Sequence, residues 1–426
     1  MTTELKHVQV YIRKTICRLC MSSKLQQVIT LTPTPPANAF VPKEKLLVTQ
    51  ECFPLNVHLC LDCKHVQLVD IVNPSLLFSH YVYTSGAAPA MVSHLHNYAQ
   101  GLIYRDGLGI KPGDFVVEAG SNDGTFLRVF KDAGFNVLGI DPAENIAAQA
   151  TAAGIQTWAA FFNVETAKRI LKEFGPAKLI CANHVFAHVA DMQGFIDGIR
   201  LLLAPDGVLV FEVGYLVDVY EKATFDTIYH EHLDYHTVGP LRRFFALNGM
   251  QLINANRQDI QGGALRGYAT LAGQHCGINN QWELDAMEAY EKKIGLNDMD
   301  TFKMYNSRIT RSKNELVALL TGLKSNGLRI AAYGAAAKAT TLMYHFGLDG
   351  TIIDYIIDDS PLKIGLYSPG LHIPVVSSAN ALYNEDVSKR PDYVVILAWN
   401  FAESIIARHP SFKGRFIIPL PNLRIH

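Results

Sequence analysis

The sequence lacks several features that would narrow its class at once. Charge of one sign is missing: 38 Lys and Arg stand against 39 Asp and Glu in 426 residues, a formal charge of −1. A broad nucleic-acid face needs clustered excess Lys and Arg, so that class is disfavoured. Long apolar runs are also missing, and nothing reaches the ~18 residues that cross a bilayer. Residues 1–7, Met-Thr-Thr-Glu-Leu-Lys-His, lack the apolar core of a secretory signal. A cytoplasmic protein without membrane attachment is therefore expected. Cysteine is scarce, with seven in all, and the odd number argues against a complete disulfide framework. No G-x4-G-K-[ST] segment occurs, which removes the Walker-type nucleotidases. What remains is ordinary globular composition, 49% apolar and 18% charged. At roughly 150 residues per domain the length suggests about three domains.

The cysteines that are present are clustered. Five lie in the first 63 residues, and four form two C-x2-C knuckles, Cys17-Arg-Leu-Cys20 and Cys60-Leu-Asp-Cys63. Each knuckle presents two thiolates from a tight turn, and four thiolates at tetrahedral positions suit a structural zinc. With all four positions filled by sulfur, no open position remains for a substrate. The metal is expected to hold a segment too small to build its own core. Between the knuckles, Leu31-Thr-Pro-Thr-Pro-Pro36 and Pro42 read as loop. Cys52 is left over and is expected to pack as a small hydrophobe.

After Tyr104 the pattern changes to strand, glycine-rich turn, helix, strand. Phe115-Val-Val-Glu118 leads into Ala119-Gly-Ser-Asn-Asp-Gly124, a helix follows to about Ala133, and Asn136-Val-Leu-Gly-Ile-Asp141 is the next strand. This opens a doubly wound sheet, and the glycines let backbone approach a ligand. The loop fits either a dinucleotide or S-adenosylmethionine. Glu118 and Asp123 favour the latter. They would repel a pyrophosphate, whereas S-adenosylmethionine has no phosphate and carries an ammonium and a sulfonium. Glu118, Gly120, Ser121, Asn122, Asp123 and Gly124 are thus expected at the methyl donor. Asp141 is expected on its ribose hydroxyls, with Asn183 at the end of the strand from Lys178. An NAD-dependent nucleotide-sugar oxidoreductase is the second reading, and a non-enzymatic zinc module bound to nucleic acid is the third.

Two further segments carry chemistry. Phe225-Asp-Thr-Ile-Tyr229-His-Glu-His232-Leu-Asp-Tyr-His236 packs a phenol, carboxylates and three imidazoles into twelve residues. It offers a proton acceptor of near-neutral pKa with partners to orient it. A second metal held by His230, His232 and His236 is a lesser alternative. From Leu328 a second Rossmann-like unit begins: Arg329-Ile-Ala-Ala-Tyr-Gly334 is a strand and small-residue turn, and Ala335 to Phe346 reads as helix. Lys338 near that helix start suits a pyrophosphate. Ser360 and Lys363 are candidate contacts to phosphate or base. The stretch from about Gln281 to Lys324 reads as an amphipathic helical connector.

Taken in order, the knuckles, Glu118-Ala-Gly-Ser-Asn-Asp-Gly124, Tyr229-His-Glu-His232, Gly262-Gly263-Ala-Leu-Arg266 and Tyr333-Gly-Ala-Ala-Ala-Lys338 make the chain resemble one family. It is similar, along nearly its whole length, to the sugar C-methyltransferases that act on nucleotide-linked 4-keto deoxysugars. The resemblance implies an α/β fold: a small zinc-binding module over residues 1–78 and two Rossmann-like doubly wound domains. These are a methyltransferase domain with a helical connector over 79–325 and a C-terminal domain over 326–426. It implies S-adenosylmethionine and Zn2+ as cofactors and a dTDP- or GDP-linked 4-keto sugar as substrate, in a monomer or homodimer. It places the catalytic base at His232, an orienting group at Glu231 and a sugar or oxyanion contact at Tyr229. It adds His188 and Tyr83 to the active site. Arg266, Tyr333, Lys338, Ser360 and Lys363 fall to the sugar nucleotide.

Overall fold

The computed structural model describes residues 10–78, 84–87, 89–274 and 276–426. Tyr83 lies outside them. The chain divides into two compact units, neither continuous in sequence. The first takes the described residues up to Gln26 together with His58–Val217 and Leu233–Asn297. The second takes Gln27–Val57, Asp218–His232 and Asp298–His426. Sequence modules and packing units are therefore different divisions of one chain.

Five strands cover the first part of the chain: β1 (Tyr11–Arg13), β2 (Leu25–Thr34), β3 (Phe53–Cys60), β4 (Val66–Leu68) and β5 (Asp70–Val72). The expected loop at Leu31–Pro36 is a strand as far as Thr34. Ile29, Leu31 and Thr34 are buried while Pro33 is exposed. β2 is an edge strand, where proline's missing N–H leaves no ladder bond unmade. Cys52 is exposed rather than packed, because it stands just before β3 begins.

The first unit is built on a seven-stranded sheet. Its strands are β6 (Phe115–Ala119), β7 (Asn136–Asp141), β8 (Thr157–Ala159), β9 (Ala177–Asn183) and β10 (Leu203–Gly214), then, after the short β11 (Asp234–Tyr235), β12 (Met250–Gln258) and β13 (Ala264–Leu271). The order is β12-β13-β10-β9-β6-β7-β8. The five strands from β6 to β10 run parallel, and β13 and β12 are antiparallel. β6, β9 and β10 are near-continuous apolar runs because helices cover both sheet faces. The helix Val164–Phe174 starts where the Asn163 side chain accepts from Thr166 N–H, and Met192–Leu202 starts where Asp191 accepts from Gly194 N–H. Phe186 anchors the core at one end of the sheet. It stacks on Phe211 with ring centroids 5.1 Å apart and on Phe245, meets Phe195 edge-on, and lies tilted against His236.

The second unit carries a six-stranded sheet: β14 (Ile330–Tyr333), β15 (Ile356–Ile357), β16 (Val375–Val376), β17 (Tyr393–Ile396), β18 (Arg415–Ile418) and β19 (Arg424–Ile425), in the order β16-β15-β14-β17-β18-β19. All pairs are parallel except β18 with β19. Residues 218–232 pack on this unit. Phe225 stacks on Phe346 at 5.0 Å, Thr341 Oγ1 donates to Ile228 O at 2.9 Å, and Trp399 Nε1 donates to Asp226 Oδ2 at 2.6 Å. The expected single connector is two helices, Gln281–Lys293 and Met299–Ser325, separated at a left-handed Gly295. The division between units falls in that break.

Because Phe186 is fully buried among five other rings, Phe186→Ala removes both its transfer free energy and the surrounding ring contacts. The expected cost is about 3–5 kcal/mol, read as a lower denaturant midpoint at unchanged slope.

Candidate functional site

The four cysteines of the knuckles come together. Their sulfur atoms all lie within 4.8 Å of one another, with Cys17 to Cys63 and Cys20 to Cys60 at 3.6 Å. A tetrahedron with zinc–sulfur bonds of about 2.3 Å has edges of about 3.8 Å, so the set fits zinc. Each knuckle is the same turn. Cys17 O accepts from Met21 N–H and Cys60 O from Lys64 N–H, both at 2.9 Å, and Met21 and Lys64 are both left-handed. Thiols this close cannot all ionise without a cation among them. Hydrogen bonds from Cys17 and Cys63 pull Cys60 well below the ordinary thiol range, while its bond to Cys60 pushes Cys17 up. Among the described residues no other group of three or more His, Cys, Asp or Glu is arranged to hold a metal. The imidazole alternative fails because its members are occupied separately. His230 bonds to Phe53 O at 3.1 Å, and His236 is fully buried against His65 and Phe186.

The glycine loop sits where β6 ends and strand order reverses. Gly120 is left-handed at φ +72°, and a Cβ there would lie 2.1 Å from Val185 Cγ2. Only glycine closes the turn. Glu118 is buried, with Oε1 accepting from Asn183 Nδ2 at 2.9 Å. Burial pushes its carboxyl well above the ordinary range, against the pull of Asn183. Asp141 accepts from Asn122 N–H at 2.9 Å and Ala143 N–H at 3.0 Å, so it ties the loop to the next strand, and burial raises it too. Asp123 turns to cap Thr125 and to accept from Gly86 N–H at 2.7 Å, and Ser85 N–H donates to Asn122. Ser85 and Gly86 therefore lie on the loop. Glu118 Oε2, Asn183 Oδ1 and Ser121 Oγ are buried without a partner among the described residues. A glycine floor beside unmatched acceptors fits a ligand with cationic and hydroxyl groups. S-adenosylmethionine is such a ligand.

One cluster in this unit escaped the sequence reading. Glu212, fully buried at the end of β10, receives Arg266 Nη2 at 2.7 Å and Nε at 3.1 Å on one oxygen. His94 Nε2 lies 2.7 Å from the other, and His184 Nε2 stands at 3.3 Å. Burial would raise this carboxyl, but His184, His94 and Arg266 together hold it well below the usual range. The Arg266 guanidinium also lies 3.3 Å from the centroid of the Tyr98 ring. Arg266 is thus an internal partner of Glu212. His184 is left-handed at φ +54°, a strained backbone of the kind found at functional sites. The four members come from four distant segments, so no local signal announced them. His188 ends the short helix Phe186–His188 and stacks on Phe78 at 5.9 Å.

In the second unit, His232 Nδ1 lies 2.7 Å from Thr227 O, and its Nε2 lies 2.9 Å from Tyr229 Oη. A carbonyl only accepts, so Nδ1 carries the proton and Nε2 is the basic nitrogen. Glu231 is buried and accepts from Asn38 Nδ2 at 2.7 Å. Lys363 donates to Ala335 O at 2.7 Å. Burial lowers its ammonium, opposed by Asp358 and Glu231. Lys338 bonds Asn400, lies 4.0 Å from the Trp399 ring centroid, and is pushed down to about 8 by burial, with Asp226 opposing. Tyr333 donates to Asp359 at 2.6 Å and meets His409 at 2.9 Å. Ser360 N–H donates to Asp358. No helix among the described residues is long and apolar enough to cross a membrane.

Comparison with known proteins adds to this geometry. Residues 17–78 match the model of a candidate zinc binding domain, residues 91–255 a methyltransferase domain, and residues 259–421 a C-methyltransferase C-terminal domain. Over 412 residues, 96% of each chain, the protein is 33% identical to the C-methyltransferase NovU of Streptomyces niveus. A ubiquinone biosynthesis O-methyltransferase of Caulobacter sp. strain K31 is 31% identical over 29% of this chain and 50% of its own length. The magnesium protoporphyrin IX methyltransferase of Synechocystis PCC 6803 with bound SAM aligns at TM-score 0.32 and 13% identity, over 43% of this chain and 79% of that one. The protein is an S-adenosylmethionine-dependent methyltransferase with a zinc-binding N-terminal region. Within that class it belongs to the C-methyltransferase family that includes NovU.

Two measurements test the loop. Gly120→Ala should raise the Kd for S-adenosylmethionine at least about tenfold, or ~1.4 kcal/mol by calorimetry. The raised Glu118 carboxyl favours the folded state below its ordinary value of 4.5. That contribution is lost as pH rises through the higher folded value. The unfolding midpoint of the ligand-free protein should therefore fall as pH rises from 4.5 through the higher folded value, and Glu118→Gln should flatten the fall.

Proposed function

We propose that the enzyme methylates the carbon adjacent to the ketone, carbon 3, of a nucleotide-linked 4-keto deoxysugar. The observation that carries this reading is the hydrogen-bonded state of His232. Methyl transfer to carbon requires a carbanion, and hence a base for a weakly acidic proton together with a donor for the enolate oxygen. His232 supplies the base at Nε2, because Thr227 O holds the other proton at Nδ1. Tyr229 supplies a phenol next to that nitrogen. Transfer to a hydroxyl oxygen would need no such pair to generate a carbanion.

The residues divide by task. Glu118, Gly120, Ser121, Asn122, Asp123, Gly124, Asp141 and Asn183 bind the cofactor in the first unit. When bound there, S-adenosylmethionine supplies a methyl group made electrophilic by its sulfonium. Tyr229, Glu231 and His232 belong to the second unit. Glu231, fixed by Asn38 and facing the Lys363 charge, orients or polarises His232. Tyr333, Lys338, Ser360 and Lys363 gather near the carboxyl end of the second sheet, where ligands of such sheets bind. They serve the diphosphate and base of a dTDP- or GDP-linked sugar. Burial lowers both lysines, and an approaching phosphate would favour their charged forms. His188 and Tyr83 are assigned to the active site by family resemblance alone. The zinc stays structural, with sulfur at every position.

His232→Ala should lower methyl transfer at least about 100-fold. It should also abolish solvent deuterium exchange at the sugar carbon, while the S-adenosylmethionine Kd stays within about twofold. Near-normal turnover by this variant would exclude His232 as the base. Labelled methyl donor and a panel of 4-keto sugar nucleotides, read by mass spectrometry, identify the acceptor.

A further inference from the structure

Arg18 stands between two metal ligands, at a knuckle position that metal binding leaves free. It nevertheless points inward, with 4% of its side chain exposed. Its Nε donates to Asp234 Oδ1 at 3.1 Å, and its Nη2 donates to Leu233 O at 2.6 Å and Leu68 O at 3.2 Å. From beside the second knuckle, His65 Nε2 reaches the same Asp234 oxygen at 2.7 Å, and both groups are fully buried. The backbone follows the same route. Arg18 N–H donates to Gln67 Oε1, whose amide donates back to Ile16 O. β11 pairs with β4 through Asp234 with Gln67 and Tyr235 with Val66. Leu233 O also accepts from Leu68 N–H, and Leu233 N–H donates to Ala187 O, both at 2.8 Å.

Both knuckles therefore converge on Leu233-Asp234. That dipeptide directly follows His232 in the chain and is hydrogen-bonded to the residue before His188. We propose that the metal centre is a positioning device for the reaction: Arg18 and His65 hold Asp234 and Leu233, and through them fix the segment that carries the catalytic histidine. Arg18 is a positioning residue and touches no reactant. An arginine suits the task because one planar group bonds a carboxylate and two carbonyls at once. The catalytic part of this inference rests on the function proposed above. The mechanical part does not.

The test is Arg18→Met in the full-length metal-loaded protein, which keeps the volume and removes all three donors. Metal content by plasma mass spectrometry should remain one zinc per chain. Hydrogen–deuterium exchange should rise in peptides covering 184–190 and 228–236 and stay unchanged in 116–125. kcat for methyl transfer should fall at least about tenfold with the S-adenosylmethionine Kd within about twofold, and Arg18→Lys should recover part of the loss. Wild-type exchange across 228–236 with zinc retained overturns the proposal. Raised exchange with kcat unaffected separates the two ideas. If His232→Ala is equally active, the assignment of the base is at fault. If His232→Ala is inactive, the claim that Arg18 positions it is overturned. Should Arg18→Met lose zinc, Asp234→Asn alters neither knuckle and carries the same expectations.

Discussion

Where the order of parallel strands reverses, the helices on either side of the reversal leave on opposite faces of the sheet, and a crevice opens between their first turns. Both units are organised by this constraint. In the first it lies between β6 and β9, and in the second between β14 and β17. At each, the first strand runs out into a glycine whose absent side chain is filled by its neighbour. A Cβ on Gly120 would strike Val185, and one on Gly334 would lie 2.5 Å from the Ala398 Cβ. Close backbone approach follows from topology, and the remaining residues of each crevice give it chemical character.

That character is carried by buried charge, handled differently in each place. Glu118 has one oxygen matched by Asn183 and one unmatched, and burial raises its proton affinity. Such a group is poised to meet a cation. Glu212 is saturated by Arg266 and His94, with His184 alongside, and stays ionised. It organises the floor of the same sheet instead of offering a contact. Asp226, buried and bonded to the Trp399 indole, is pushed up to about 6 in the second unit. Burial thus raises Glu118 and Asp226, whereas the imidazole and guanidinium partners of Glu212 overcome its burial and lower it.

The legible parts of the sequence were those whose meaning is local. Two thiolates of a C-x2-C knuckle meet at one ion because a single turn brings them there. The six residues from Ala119 to Gly124 make their own loop, and Thr227, Tyr229 and His232 lie close enough in the chain to bond one another. The misread parts were those decided at a distance. Prolines at 33, 35 and 36 signalled loop, yet an edge position and the burial of Ile29 and Leu31 made a strand to Thr34. The long polar stretch looked like one connector until Gly295 broke it. Arg266 is held by Glu212 across a register pair of β10 and β13, a partner that no neighbouring residue announced.

By itself, then, the sequence determined the alternation of strands and helices, the two C-x2-C knuckles, the glycine loop and the Tyr-x-Glu-His motif, because each depends on residues within about a dozen positions. Tertiary structure alone decided which carboxylates are paired and which are poised, that Arg18 reaches an aspartate 216 residues away, and that residues 218–232 pack with the second unit. The physical reason is range. Propensity and turn chemistry act between neighbours, whereas burial and ion pairing depend on which distant segments the fold brings together, and no pattern in a single stretch records that.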